Sequence, residues 1–163
     1  MEISRECVFE PPSPFDCTSS YDLKTNIMIN NECRACVTDF SLITLAPDHQ
    51  TFLSSCIEGG TYAWMSPELL SPTRFGLDGG RPTMASDHYG LGMVIYEVLS
   101  GQAPFKECGS LAVILKILDG ERPKRPQGGG GRLFTDKIWD MVQLCWRQAP
   151  SDRASAREVL QCL

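Results

Sequence analysis

The stretch Ser86–Gly101, SDHYGLGMVIYEVLSG, constrains the fold of this chain more than any other. Leu91, Met93, Val94, Ile95, Val98 and Leu99 point in nearly every direction around a helix of about 3.6 residues per turn, so no wide solvent face is left. Such a helix is expected to lie inside. Ser86 is placed to cap its N-terminus, Asp87 favours the positive end of the helix dipole, and Gly101 before Ala103-Pro104 reads as the stop. Asp87 and Glu97 interrupt the apolar residues, which predicts a buried hub helix and not a membrane span.

The rest of the 163 residues suffices for one domain with a sizeable core. A net charge of −5 argues against nucleic acid as a partner, since phosphate-binding surfaces need clustered Lys and Arg. The charge is uneven. Residues 1–80 hold eleven acids against four bases and residues 81–163 nine against eleven, so a cation site is to be sought in the acidic half. The opening MEISRECVFEPPSP has no basic segment leading into an apolar run, which predicts no signal peptide and a cytoplasmic setting. The eight cysteines then read as reduced thiols. Cys33 and Cys36 form a CxxC that could begin a zinc site, but no second pair follows to complete four ligands.

Residues 1–20, rich in Pro, Ser and Cys, are expected to be irregular. DLKTNIMIN and NECRACVTDF, from Tyr21 onward, predict a β-hairpin around Asn30-Asn31-Glu32 that buries Ile27, Ile29, Ala35 and Val37. A polar loop follows and leads into a short helix near Pro67. Further helices are predicted over Leu111–Leu118, over Asp136–Cys145 with Ile138, Trp139, Val142 and Cys145 on one face, and over Ser155–Leu163. ERPKRPQGGGGR interrupts them; its four bases read as a solvated loop in preference to a phosphate patch, and its glycines lack GxGxxG phasing.

In that order the pieces resemble the C-terminal lobe of a eukaryotic protein kinase of the tyrosine-kinase-like Ser/Thr group, from about Asp22 to Leu163. Asp22-Leu23-Lys24 with Asn26 resembles the catalytic loop HRDLKxxxN, and Asp39-Phe40-Ser41 stands where the family has DFG. Ser66-Pro67-Glu68 is similar to APE, and SDHYGLGMVIYEVLSGQAPF to the family's central helix. The resemblance implies a mainly α fold with a small β-hairpin: a kinase-like C-terminal lobe over residues 21–163, without the N-terminal lobe. It implies ATP-dependent phosphorylation of Ser/Thr hydroxyls, with Asp22 as catalytic base, Lys24 neutralising the γ-phosphate, and Asn26 and Asp39 holding Mg²⁺ beside ATP. Thr61 would line the floor where the acceptor residue docks. Glu68 and Arg153 would meet as a buried salt bridge, and Asp87 would reach the backbone near Tyr21 and Asp22.

Read residue by residue, Asp22, Asn26 and Asp39 could equally be turn formers, and Thr51, Ser54 and Ser55 either plain loop hydroxyls or phosphorylation sites. The chain also departs from the family. No glycine-rich nucleotide loop or VAIK-like strand precedes Asp22 in these residues, and nothing in 1–20 resembles the helix that covers part of the hub. Asp22 and Asn26 are four residues apart where the family has five. Ser20, Tyr21 and Ser41 replace the motif's histidine, arginine and glycine. These departures lead to an expectation of weak or no catalysis by the chain alone, with a non-catalytic, pseudokinase-like interaction module as the alternative. A protein substrate or partner is implied, with no nucleic acid or membrane; substrate, pathway and oligomeric state stay open.

Overall fold

Asn30 shows how little sequence a hairpin needs. Its Oδ1 accepts hydrogen bonds from the backbone amides of Glu32 (3.0 Å) and Arg34 (2.9 Å), and its own amide donates to the Arg34 carbonyl (2.9 Å). An asparagine that satisfies the backbone beyond it in this way substitutes for part of a turn's own hydrogen bonding. The strands on either side, β1 (Ile27–Ile29) and β2 (Ala35–Val37), are antiparallel, with Ile27 opposite Val37 and Ile29 opposite Ala35. That register places positions 27, 29, 35 and 37 on one face, the set the sequence picks out.

The computed structural model describes residues 27–32, 34–37, 53, 54, 56, 60–127, 131 and 133–162. The hairpin belongs to one compact unit, residues 1–40; residues 41–163 form the other. Within the second unit the described order is a 3₁₀ turn (Tyr62–Trp64), α1 (Pro67–Leu70), a 3₁₀ turn (Pro72–Phe75), α2 (Met84–Ser100), α3 (Ser110–Leu118), α4 (Asp136–Cys145), a 3₁₀ turn (Pro150–Asp152) and α5 (Ala156–Cys162). None of the described helices is long and apolar enough to cross a membrane.

The hub helix α2 begins three residues earlier than its sequence suggests. Thr83 is the cap, in extended backbone, and Ser86 is the third helical residue. The Thr83 hydroxyl accepts from the Ser86 amide (3.2 Å) while the Ser86 hydroxyl accepts from the Thr83 amide (2.7 Å). Two end groups are thus satisfied reciprocally, which a lone Ser86 cap could not do. At the other end Gly101 is left-handed, φ 67°, and its amide closes onto the Glu97 carbonyl at 2.8 Å. A residue with a Cβ would be strained there.

Burial of α2 all round is not what the fold provides. Ser86, Tyr89, Gly92 and Met93 are buried and form one stripe, whereas Val98 is 55% and Met84 75% exposed. Among the described residues of the second unit, α4, the 62–64 turn and the 150–152 turn pack against α2. A close approach is at Gly92, where an added Cβ would lie 2.9 Å from the Cβ of Cys145 on α4. Gly92→Val is therefore expected to destabilise the unit by about 1–3 kcal/mol through overpacking; an unchanged urea midpoint would show that the two helices separate freely.

Around that contact lies the core: Met93, Val113, Ile117, Phe134, Met141, Val142, Cys145, Trp146 and Val159 are all nearly inaccessible. Helix α4 buries Met141, Val142 and Cys145, with Ile138 and Trp139 half-buried beside them. The apolar face is as expected, shifted to include Met141. Tyr96, Phe134, Trp139 and Trp146 close a ring of tilted and edge-on aromatic contacts, with centroids 5.6–6.0 Å apart. These are geometries that aromatic quadrupoles favour.

Candidate substrate-docking segment and its anchor

Residues Gly60–Leu70 carry the described part of the functional reading, and each is fixed by a local cause. Gly60 takes φ 66°. Thr61 is half-buried and bonds the Cys56 carbonyl twice, through its amide (2.8 Å) and its hydroxyl (3.0 Å). Burial pushes the Cys56 thiol pKa up, with the Thr61 bond opposing it, so Cys56 is a neutral packing group and not a reactive thiolate. The 3₁₀ turn follows, and the Trp64 indole donates to Glu97 Oε2 at 3.0 Å. This gives a structural reason for the carboxylate that breaks the apolar pattern of α2.

Helix α1 begins with Pro67 at its first position, where the missing amide costs nothing. All four of its residues are buried, Glu68 among them at 3% exposure. A buried carboxylate needs a cation, and Arg153, 8% exposed, supplies it. Arg153 Nη1 donates to Glu68 Oε1 and Nη2 to Oε2, each at 2.6 Å, a two-pronged pair spanning 85 residues of sequence. Nη1 also reaches the Ala85 carbonyl (2.7 Å), Nη2 the Gln148 carbonyl (3.3 Å) and Nε the Arg147 carbonyl (2.9 Å). All five N–H groups of the guanidinium are thereby committed. Through this one side chain, α1, the first turn of α2 and the segment after α4 are joined.

Tyr89, fully buried on α2, has two guanidinium groups over its ring, Arg153 at 5.2 Å and Arg122 at 5.0 Å from the ring centre. Stacked cations over an electron-rich ring are attracted to it, more so when desolvated. Burial raises the Tyr89 phenol pKa, partly opposed by the two arginines. Its hydroxyl and that of Ser66 are the buried side-chain oxygens without a hydrogen-bond partner among the described residues.

Glu68 titrates low. Burial alone would raise its pKa, but the hydrogen bonds and charge of Arg153, with its own backbone, outweigh burial and hold it below the usual 4.5. A carboxyl depressed on folding stabilises above its unfolded pKa, and that stabilisation disappears as pH falls through the folded value. Stability should therefore fall on acidification below about pH 4.5. The fall should be shallower in Glu68→Gln, read from urea midpoints across pH; equal slopes would remove Glu68 from the acid limb.

Of the residues singled out from sequence, Thr61, Glu68 and Arg153 lie in this assembly. Asp87 sits exposed in the first turn of α2. Asp22, Lys24, Asn26 and Asp39 lie outside the described residues, as do Tyr21, Thr51 and Ser55; Ser54 is exposed. Tyr89, Arg122 and the Trp64–Glu97 bond were not foreseen. The bases of ERPKRP are not all solvated: Arg122 and Arg125 are half-buried, and Arg125 pairs with Asp136 at 2.7 Å. The signal available was proline on either side, which stiffens a loop enough to hold a side chain inward.

A mainly helical unit whose Gly60–Leu70 segment is tied down by a buried carboxylate–guanidinium pair is the arrangement that the resemblance to a kinase C-terminal lobe implies. A family model for protein tyrosine and serine/threonine kinases matches residues 22–163, and the chain belongs to that family. It is 32% identical over 147 residues to the serine/threonine-protein kinase PkaA of Streptomyces coelicolor, covering 87% of this chain and 24% of the relative. It is 29% identical to the cytokinesis protein sepH of Aspergillus niger, with 86% and 9% covered. It is 27% identical to mitogen-activated protein kinase kinase 1 of Arabidopsis thaliana, with 86% and 38% covered. The chain thus spans well under half the length of these curated relatives.

Proposed function

We propose that this chain is the catalytic-loop and substrate-docking lobe of a cytoplasmic protein Ser/Thr kinase, taking protein hydroxyls as acceptors. The observation that carries the reading is the fully satisfied Glu68–Arg153 pair. It holds the segment from Thr61 to Leu70 rigid against α2, and a docking floor must be rigid, since 1 Å of misplacement costs about a hundredfold in rate. In the reaction the acceptor oxygen attacks the γ-phosphorus of ATP, the bond to the bridging oxygen breaks, and ADP leaves. Asp22 takes the hydroxyl proton, Lys24 offsets charge on the γ-phosphoryl group, and Thr61 lines the acceptor's position. Asn26 and Asp39 offer amide and carboxylate oxygens, the hard donors Mg²⁺ prefers, so the residue types fit the ion. When bound, Mg²⁺ neutralises charge on the phosphates.

A second reading, a non-catalytic module that binds a protein partner, is favoured by the Asp22–Asn26 spacing and by Tyr21 in place of arginine. One residue fewer shifts the amide by up to about 3.6 Å along the chain. For this chain alone, transfer to a generic protein substrate is expected to be weak. Phosphate transfer from labelled ATP by the purified chain, lost in both Asp22→Asn and Asp39→Asn, would establish the catalytic reading. Transfer that survives both substitutions, or no transfer together with no Mg-ATP shift of the thermal transition, would leave the module.

A further inference from the structure

Away from the docking segment, an open cleft of about 360 Å³ is lined by Gly120 and Arg122 after α3, Gln143 on α4, and Trp146, Arg147 and Gln148 after it. Its size lies within the range of about 300–1,000 Å³ typical of ligand sites. None of its lining side chains is acidic. Arg122 donates to the carbonyls of Trp146 (2.7 Å), Glu121 (2.7 Å) and Ile117 (3.4 Å), and to Gln148 Oε1 (2.6 Å). Every one of these partners is neutral. The guanidinium makes no ion pair among the described residues, and burial lowers its pKa, with the charges of Tyr89 and Glu68 opposing the shift.

Glu121 is engaged with Lys116, Asp119 with Arg74 and Glu68 with Arg153, whereas the exposed Asp140, one turn before Gln143 on α4, makes no ion pair among the described residues. Arg147 uses its carbonyl to accept from Arg153. Its side chain is exposed and makes no ion pair among the described residues. Gln148 is fixed by its own donations to the Ile117 and Leu118 carbonyls (3.4 and 3.2 Å), which keeps Arg122 oriented. Two positive groups, one held by its hydrogen bonds and one exposed, with an amide at Gln143, therefore line one concavity on a chain of net charge −5.

We propose that this cleft is an oxyanion site that takes one carboxylate or phosphate group between Arg122 and Arg147. Arg122 keeps one Nη2 N–H beyond these bonds, Arg147 offers a whole guanidinium fork of the geometry that matches both groups, and charge-assisted hydrogen bonds are about twice as strong as neutral ones. The test is titration of the full chain with inorganic phosphate and with acetate at fixed ionic strength, followed by NMR of the arginine Nε–H and glutamine amide signals. Saturable shifts at Arg122, Arg147 and Gln143 are expected. Binding should weaken about tenfold in Arg147→Gln, which removes the charged donor and leaves the backbone carbonyl in place. Tighter binding of phosphate or of acetate supports the site either way and names the ligand class. Shifts spread equally over the exposed Arg81 and Arg157, shifts that do not saturate, or affinity unchanged in Arg147→Gln would overturn the proposal.

Discussion

Arg153→Ala is expected to lower the stability of the helical unit by about 3–5 kcal/mol, the cost of leaving one member of a buried ion pair alone. Glu68 would remain 3% exposed with no cation facing it, and the carbonyls of Ala85, Arg147 and Gln148 would lose a donor. Native domains have only about 5–15 kcal/mol in hand. The substitution therefore removes a large share of the total, and a much lower thermal midpoint or no cooperative transition should be seen. Replacing both partners, Glu68→Leu with Arg153→Met, should recover most of the loss, since a buried pair exchanged for apolar groups is often neutral. A single variant that melts like the parent would mean that water reaches Glu68. A double variant no better than the single would move the effect to the three carbonyls.

Trp146→Ala should rank beside it, at about 3–5 kcal/mol, as for large aromatic side chains removed from a core. Trp146 is 2% exposed and packs against Trp139 at 5.7 Å and Tyr96 at 6.0 Å. Removing it opens the aromatic ring at its junction between α2 and α4. The Trp146 carbonyl, which accepts from Arg122, stays in alanine, so the loss reports on the ring and not on that hydrogen bond. Trp146→Phe should cost distinctly less, because most of the buried area is kept. Equal losses in the two variants would point to the indole edge and not to its volume. Denaturant midpoints with unchanged slope are the appropriate readout.

Much of this architecture is legible before any coordinates. Asn30 marks the hairpin because an asparagine side chain can replace a backbone partner, a property of the residue itself. Helix α4 matches its predicted bounds, because its apolar spacing and the Thr135 cap agree. The start of α2 was misread because Ser86 and Thr83 are both capping residues, and only the reciprocal hydrogen bonds decide which one caps. Burial of α2 was overestimated for a different reason: side-chain character says what tolerates burial, but not how many neighbours arrive.

The Gly60–Leu70 segment divides the same way. Ser66-Pro67-Glu68 and Arg153 can be named from order along the chain, and the geometry joins them at 2.6 Å. That Arg122 and Arg153 both stack on Tyr89, that Trp64 reaches Glu97, and that Arg122 turns inward from a loop rich in bases could not be read from local spacing. Capping, turn formation and amphipathic period act over a few residues, so the sequence alone determined the elements, their order and the family. The further bonds of Arg153 to the Ala85, Arg147 and Gln148 carbonyls, the partial cover of α2 and the cleft between the α3–α4 connection and the end of α4 arise only when distant segments exclude water together. Those were decided by the tertiary structure.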